Sequence, residues 1–106
     1  MTVKIYNELV RDLIPDIIEA SGNKCRTRVL SDVEYLEMLD AKLDEELAEY
    51  HADKNLEELA DLLELIRAAA IARGYTLEEL ETARAEKAKE RGGFAKKILL
   101  IDVAEG

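Results

Sequence analysis

Two short groups of carboxylates in this sequence are spaced for metal chemistry. Glu46 and Glu49 lie one helical turn apart, and so do Glu58 and Asp61, so each pair shares one face of a helix. If the chain reverses near Asp53, the two pairs face each other and four carboxylates converge between antiparallel helices. That much negative charge is costly in a partly buried place unless cations neutralise it. Oxygen-only ligands suit a hard divalent ion, so the pattern predicts a site for Mg²⁺, with Mn²⁺ as a substitute.

The ordinary explanation for a glutamate-rich helix is a solvated face, and the direction of these side chains argues against it. On a helical wheel, Glu46 falls on the same side as Leu39 and Leu43. Glu58 falls between Leu62 and Leu65 on the following helix. A carboxylate that only keeps a surface hydrated would not be expected on or beside the apolar stripe. We therefore keep the metal-site prediction beside the alternative of a solvated face.

Basic residues that could bind phosphate form a second pattern. Arg84, Lys87 and Arg91 follow one another at the spacing of a single helix face, and Arg11 and Lys42 are further candidates. Arginine matches phosphate oxygens with two parallel hydrogen bonds, and lysine acts as a point charge. The alternative is structural, because cations near a helix C-terminus complement its dipole and pair with nearby glutamates.

Local signals predict four helices that would position these side chains. Pro15 favours a short first helix from about Leu13 to Ser21, and three capping-box patterns start longer helices. The predicted long helices span 31–51, 55–73 and 76–91. The alternating segment 24–30 and the apolar segment 97–103 predict two strands that pair as a ribbon. We expect a mainly helical antiparallel bundle with a small two-stranded β ribbon, forming one domain over residues 1–106.

Composition excludes several classes of protein. The net charge of −9 argues against a general nucleic-acid binder and against binding to an anionic membrane. No apolar run reaches the length of a membrane span, and no signal-peptide pattern opens the sequence. With one cysteine (Cys25) and one histidine (His51), neither an intrachain disulfide nor a Cys/His zinc site is expected. These features predict a cytoplasmic protein.

Three segments together resemble a known family. The acidic pattern Glu45-Glu46-x-x-Glu49 followed by Glu58-x-x-Asp61 is similar to the signature of the all-α nucleoside triphosphate pyrophosphohydrolases. This superfamily includes MazG-like enzymes, dimeric dUTPases and phosphoribosyl-ATP pyrophosphohydrolases. The flanking segments 6–15 and 86–94 resemble a compact branch described as MazG-like or phosphoribosyl-ATP pyrophosphohydrolase-like. The likeness extends over nearly the whole chain.

The resemblance implies an activity and a role for each residue. It implies Mg²⁺-dependent hydrolysis of a nucleoside triphosphate to the monophosphate and pyrophosphate, as house-cleaning of non-canonical nucleotides. It also implies a homodimer or a dimer of dimers with active sites completed across an interface. The implied metal ligands are Glu46, Glu49, Glu58 and Asp61, with Glu45 as an accessory ligand or the group that orients the attacking water. Lys87, Arg91 and, less directly, Arg11 match the phosphate-facing positions.

Two other functions remain open at this point. One is hydrolysis of phosphoribosyl-ATP, the single substrate of another branch of the same superfamily. The other is a non-catalytic helical dimer that binds cations or regulates another protein. The two classes differ in their response to ligands: an enzyme is stabilised by Mg²⁺ and nucleotide, whereas a protein that merely carries surface acids is not.

Overall fold

Four helices make up the regular secondary structure of the protein in a computed structural model that describes residues 2–106. They are α1 (Ile14–Ala20), α2 (Asp32–Asp53), α3 (Leu56–Ala72) and α4 (Leu77–Arg91). The predicted mainly helical organisation is confirmed, since 58% of the chain is helical. Each predicted helix is present, with its ends within about two residues of the predicted ones.

The starts of α2 and α4 follow from their capping residues. Ser31 Oγ accepts a hydrogen bond from the Glu34 backbone N–H at 3.3 Å, and Glu34 accepts one from the Ser31 N–H at 3.2 Å. Thr76 and Glu79 form the same reciprocal pair at 3.0 and 3.2 Å. Both boxes satisfy backbone donors that a helix N-terminus would otherwise leave unpaired. These local bonds explain why the helix starts are readable from sequence.

Helices α2 and α3 form the antiparallel hairpin that carries the acidic residues. The chain reverses at Lys54, whose φ of 52° lies in the left-handed region, and Asn55 then caps α3. Arg73, just after α3, lies 3.5 Å from Asp40 in the first half of α2, as an antiparallel pair requires. Leu39 on α2 is the one apolar side chain that is fully buried among residues 2–106.

The predicted β ribbon is wrong. Neither 24–30 nor 97–103 forms a strand, and the chain from residue 2 to residue 106 contains no β ladder. The first segment has the sequence Lys-Cys-Arg-Thr-Arg-Val-Leu, which offers no continuous apolar face to fix a pairing register. A two-stranded ribbon is marginal without a third strand or a helix beneath it, so the apolar pattern of 97–103 alone does not produce one.

The remaining helices lie outside the hairpin. α4 packs against α3 and makes no contact with α2, and α1 stays apart from the other helices of the described chain. The molecule is therefore elongated, with dimensions of 70 × 31 × 22 Å. None of the helices in residues 2–106 is both long and apolar enough to cross a membrane.

Candidate metal centre

Carboxylates from both helices of the hairpin meet at one place. Oxygens of Glu46 on α2 and of Glu58 and Asp61 on α3 lie within 4.8 Å of one another. Glu45, Glu46 and Glu49 form a second such group along α2. Because Glu46 belongs to both groups, the five side chains make one continuous acidic cluster. All four predicted metal ligands and the predicted catalytic Glu45 lie in this cluster.

Two oxygens in the cluster lack partners. Glu46 is a buried charged residue, and Oε2 of Glu46 and Oε2 of Glu58 are both buried without a hydrogen-bond partner in the described chain. A buried carboxylate oxygen without a donor normally costs free energy, because its hydration is lost and nothing replaces it. A cation placed between the two helices would supply the missing interaction.

Glu58 is also free of the capping role that its position could have given it. Asn55 Oδ1 accepts a hydrogen bond from the Glu58 backbone N–H at 3.0 Å, so the backbone of Glu58 takes part in the cap. The reciprocal bond from the Asn55 N–H to the Glu58 carboxylate, which Glu34 and Glu79 make in their boxes, is missing at this helix. The Glu58 side chain is turned toward the other acids instead.

The negative charge of the cluster is only partly compensated by the cations beside it. Burial, together with the nearby carboxylates of Glu49 and Asp61, raises the pKa of Glu46 from 4.5 to about 7. Burial and the same two neighbours also raise the pKa of Glu58. Loss of hydration disfavours the charged form, and like charges disfavour it further. Without a metal ion, Glu46 and Glu58 therefore take up protons more readily than ordinary glutamates do.

Lys42 lies at one side of the cluster. Its ammonium group is 3.3 Å from Glu45 and 4.0 Å from Glu46, and 3.6 Å from Glu8 in the N-terminal segment. Partial burial lowers the pKa of Lys42, but the three carboxylates outweigh that effect and raise it overall. Lys42 is therefore a charged group that holds the N-terminal segment close to α2.

Arg11 lies at the other side. Its Nη2 atom donates a hydrogen bond to Asp61 Oδ1 at 2.6 Å. The N-terminal segment therefore reaches the cluster twice, through Glu8 with Lys42 and through Arg11 with Asp61. Sequence reasoning did not single out Glu8, because that segment is not helical and no periodicity marks which of its side chains face the hairpin.

The geometry fits a divalent cation with oxygen ligands. Oxygens bound to one Mg²⁺ at about 2.1 Å lie no more than about 4.2 Å apart, so the 4.8 Å spread of Glu46, Glu58 and Asp61 needs only a small inward rotation of side chains. Carboxylates alone, without cysteine or histidine, favour Mg²⁺ or Mn²⁺ over zinc. The unpartnered oxygens of Glu46 and Glu58 are the atoms best placed to accept an ion.

The basic residues of α4 are not brought to the cluster. Arg84 is paired with Glu81 on its own helix, through Nε to Oε2 at 2.9 Å. No ion pair within residues 2–106 joins Lys87 or Arg91 to the acidic side chains, and α4 contacts α3 alone among the helices. Of the predicted phosphate-binding residues, the fold brings Arg11 and Lys42 to the acids, whereas Arg84, Lys87 and Arg91 lie elsewhere.

Comparison with known proteins identifies one relative and no function. No family profile matches the chain, and no solved structure matches it. An uncharacterised protein of Mycolicibacterium smegmatis is 60% identical over 45 residues, which are 42% of this chain and 46% of that protein. The matched segment thus spans less than half of the relative, and it carries no activity over to this chain.

Proposed function

We propose that this chain is a Mg²⁺-dependent nucleoside triphosphate pyrophosphohydrolase of the MazG-like, all-α type. The observation that carries the proposal is the convergence of Glu46, Glu58 and Asp61 from two antiparallel helices, with two of their oxygens buried and unpaired. A solvated acidic face would orient its carboxylates to water. Here they are oriented toward one another, although their mutual repulsion opposes this arrangement.

Each acidic residue has a distinct task in this proposal. Glu46, Glu49, Glu58 and Asp61 hold the metal, whose chemistry is to neutralise phosphate charge and to lower the pKa of a bound water. Glu45 is exposed at the edge of the cluster and accepts the proton of the attacking water at its free carboxylate oxygen. Lys42, 3.3 Å from Glu45, fixes the position of that carboxylate at the edge of the cluster.

The reaction joins water to the α-phosphorus of the nucleotide and breaks its bond to the oxygen that bridges to the β-phosphate. The products are a nucleoside monophosphate and pyrophosphate. Arg11 and Lys42 flank the acids and would bind the phosphate oxygens that face them. Arg84, Lys87 and Arg91 remain candidates for phosphate binding, and because α4 lies outside the hairpin they would act on a neighbouring copy rather than on their own cluster.

House-cleaning of non-canonical nucleotides is the role we propose for this activity. The groups that meet at the cluster are carboxylates flanked by Lys42 and Arg11, which favours a site that binds phosphates and metal more than one particular base. Phosphoribosyl-ATP is the alternative substrate, and a cation-binding dimer without activity is the alternative outside enzymes.

The deciding experiment measures products from a panel of standard and modified nucleoside triphosphates, with Mg²⁺ and with EDTA, and separates pyrophosphate from single phosphate. We expect Mg²⁺-dependent release of pyrophosphate in equal amount to the monophosphate. Release of single phosphate would contradict the reaction class. If no nucleoside triphosphate reacts, cleavage of phosphoribosyl-ATP would identify that alternative. If neither reacts and Mg²⁺ leaves the melting temperature unchanged, the protein is not an enzyme of this type.

A further inference from the structure

The N-terminal strap, defined here as residues 2–11, is held on the hairpin by two ion pairs. It has no regular secondary structure, and its backbone makes no hydrogen bond to the backbone of α2 or α3. Glu8 pairs with Lys42 at 3.6 Å, and Arg11 pairs with Asp61 at 2.6 Å. Leu9, between these two anchors, is the one residue of the strap that is partly buried. Side-chain contacts at residues 8–11 therefore fix its position.

The two anchors lie on different helices of the hairpin. Lys42 belongs to α2 and is 4.0 Å from Glu46, whereas Asp61 belongs to α3 and shares the acidic cluster with Glu46. An extended chain covers about 10 Å between residues 8 and 11, and the axes of packed helices are about 8–10 Å apart. The strap is thus long enough to cross from α2 to α3 where the acids converge.

The charges of the two anchors match those of the proposed ligands. The positive guanidinium group of Arg11 lies on Asp61, a carboxylate that the proposed function assigns to a cation. The negative carboxylate of Glu8 lies beside the ammonium group of Lys42, which the proposed function assigns to phosphate. A polyphosphate with its bound Mg²⁺ would present the same two charges to the same two side chains. The strap therefore imitates that complex in the free protein.

We propose that the strap is an autoinhibitory device, which occupies the site of the free protein and is released when Mg²⁺ and a polyphosphate bind together. The proposal rests on the proposed function, because it takes Asp61 as a metal ligand and Lys42 as a phosphate-binding group. On binding, the metal replaces Arg11 at Asp61, and a phosphate oxygen replaces Glu8 at Lys42. Arg11 then turns to a phosphate oxygen, whereas Glu8 is left in water and the strap before it is released.

The anchors are weak enough for the ligands to displace them. The side chains of Arg11 and Glu8 are 57% and 43% exposed, and exposed ion pairs contribute little because water screens them. Either ligand alone leaves the Glu8 anchor in place. Mg²⁺ without phosphate does not compete for Lys42, and phosphate without Mg²⁺ is repelled by the acids around Lys42. Release of the strap therefore requires both ligands.

A single tryptophan on the strap reports its release, because the native chain contains none. Tyr6→Trp places the reporter near the Glu8 anchor. Tyr75→Trp, between α3 and α4, is the matched control, since Tyr6 and Tyr75 are 62% and 58% exposed. The probe is methylenediphosphonate, whose bridging carbon prevents hydrolysis. We expect the fluorescence anisotropy of Tyr6→Trp to fall when Mg²⁺ and methylenediphosphonate are added together, and to stay unchanged with either alone. The anisotropy of Tyr75→Trp should stay unchanged throughout.

Removal of the Glu8 anchor should reproduce the released state without ligand. In the Tyr6→Trp chain, Glu8→Gln should give the low anisotropy from the start and little further change on addition of both ligands. By calorimetry in Mg²⁺, Glu8→Gln should bind methylenediphosphonate about fivefold more tightly than the native chain, the factor that one exposed ion pair is worth. Asp12→Asn is the control for charge, because Asp12 is exposed beside the strap and forms no ion pair with the hairpin within residues 2–106. It should bind as the native chain does.

The outcomes separate this inference from the proposed function. If calorimetry shows that both ligands bind to the native chain while the anisotropy of Tyr6→Trp stays high, the strap is a fixed tether and the inference is wrong, whereas the proposed function stands. If the anisotropy falls but no nucleotide is hydrolysed, the strap controls a binding site and the proposed reaction is wrong. Binding by Glu8→Gln alone would support the strap, and absence of binding by both chains would contradict both proposals.

Discussion

Arg11 and Asp61 form an ion pair of 2.6 Å across fifty residues of sequence. The pair places a guanidinium group on one of the proposed metal ligands. Arg11 therefore neutralises part of the negative charge of the acidic cluster when no metal is bound. A metal ion that binds Asp61 must displace the Arg11 guanidinium group from that carboxylate. In the proposed reaction, the released guanidinium group would then be free to bind substrate phosphate.

Replacement of Arg11 should strengthen the response to Mg²⁺. Arg11→Ala removes a competitor for Asp61 and a positive charge that repels the ion, so the melting temperature should rise more on addition of Mg²⁺ than it does for the native chain. Without metal, the loss of an exposed ion pair should cost about 1 kcal/mol or less. Thermal melting over a Mg²⁺ titration measures both effects.

Arg28→Ala is the control for this prediction. Arg28 forms a similar exposed pair with Glu34 at 2.8 Å, remote from the cluster. Its removal should leave the Mg²⁺-dependent rise in melting temperature unchanged. A smaller rise in Arg11→Ala than in the native chain would mean that Arg11 orients Asp61 for the metal rather than competing with it.

Stability without metal should fall as the pH rises. The pKa of Glu46 is about 7 in the folded chain and near 4.5 when unfolded, so between these values the folded state holds a proton that the unfolded state has lost. Folding is therefore most favoured at the acidic end of this window, and stability decreases until the pH exceeds about 7. Urea unfolding in EDTA at several values between pH 5 and pH 8 measures the slope.

Glu46→Gln should remove most of this slope, because glutamine does not titrate. The variant should also be more stable than the native chain at pH 8 in EDTA, since it removes one of the repelling charges. Equal slopes for the native chain and the variant would show that Glu46 is not the titrating group. Mg²⁺ should stabilise the native chain at pH 8 and have little effect on the variant.

Local and distant interactions differ in how far the sequence predicts them. The starts of α2, α3 and α4 were predictable because Ser31, Asn55 and Thr76 make their capping bonds within three residues. The hairpin follows from the short turn between α2 and α3. Helical spacing then brings Glu46, Glu58 and Asp61 together between the two helices. Such features need no knowledge of the rest of the fold.

Other features depend on contacts that no local pattern encodes. The approach of Arg11 to Asp61 joins a non-helical segment to α3, and nothing near Arg11 marks its partner. The prediction of a β ribbon was wrong because an apolar run such as 97–103 indicates burial but does not indicate which part of the structure covers it. The same ambiguity applies to the basic residues of α4, because their spacing defines a stripe but not the surface that the stripe faces.

Glutamates at equivalent cap positions should behave differently when removed. Glu79 accepts a hydrogen bond from the Thr76 N–H at 3.2 Å, whereas Glu58 makes no such bond to Asn55. Glu79→Ala should therefore destabilise the chain, by about 0.5–1 kcal/mol. Glu58→Ala keeps the backbone cap and relieves repulsion in the cluster, so its stability in EDTA above pH 7 should equal or exceed that of the native chain. Each variant loses one negative charge from the first turn of a helix, so the loss of favourable interaction with the helix dipole is the same in both and does not affect the comparison.

Urea unfolding of the two variants side by side measures this difference. The comparison depends on where the Glu58 side chain points. As a capping residue it would bond to the Asn55 N–H, whereas as a metal ligand it would point toward the other acids. Equal destabilisation by Glu58→Ala and Glu79→Ala would show that the Glu58 carboxylate serves its helix rather than the cluster.

Removal of a metal ligand should abolish turnover without unfolding the helices. Glu49→Ala and Asp61→Asn each leave the apolar contacts and capping bonds of the hairpin in place, so the helical circular dichroism should be unchanged. Pyrophosphate release should fall on the order of 10²–10³-fold or more, the loss expected when an electrostatic group of an active site is removed. Glu57→Gln is the control, because Glu57 is exposed in the first turn of α3 and lies outside the acidic cluster. Full Mg²⁺-dependent activity in Asp61→Asn would rule out the proposed ligand set, since Asp61 is the acid that α3 contributes beside Glu58 and, within residues 2–106, only Glu46 forms a group of three with them.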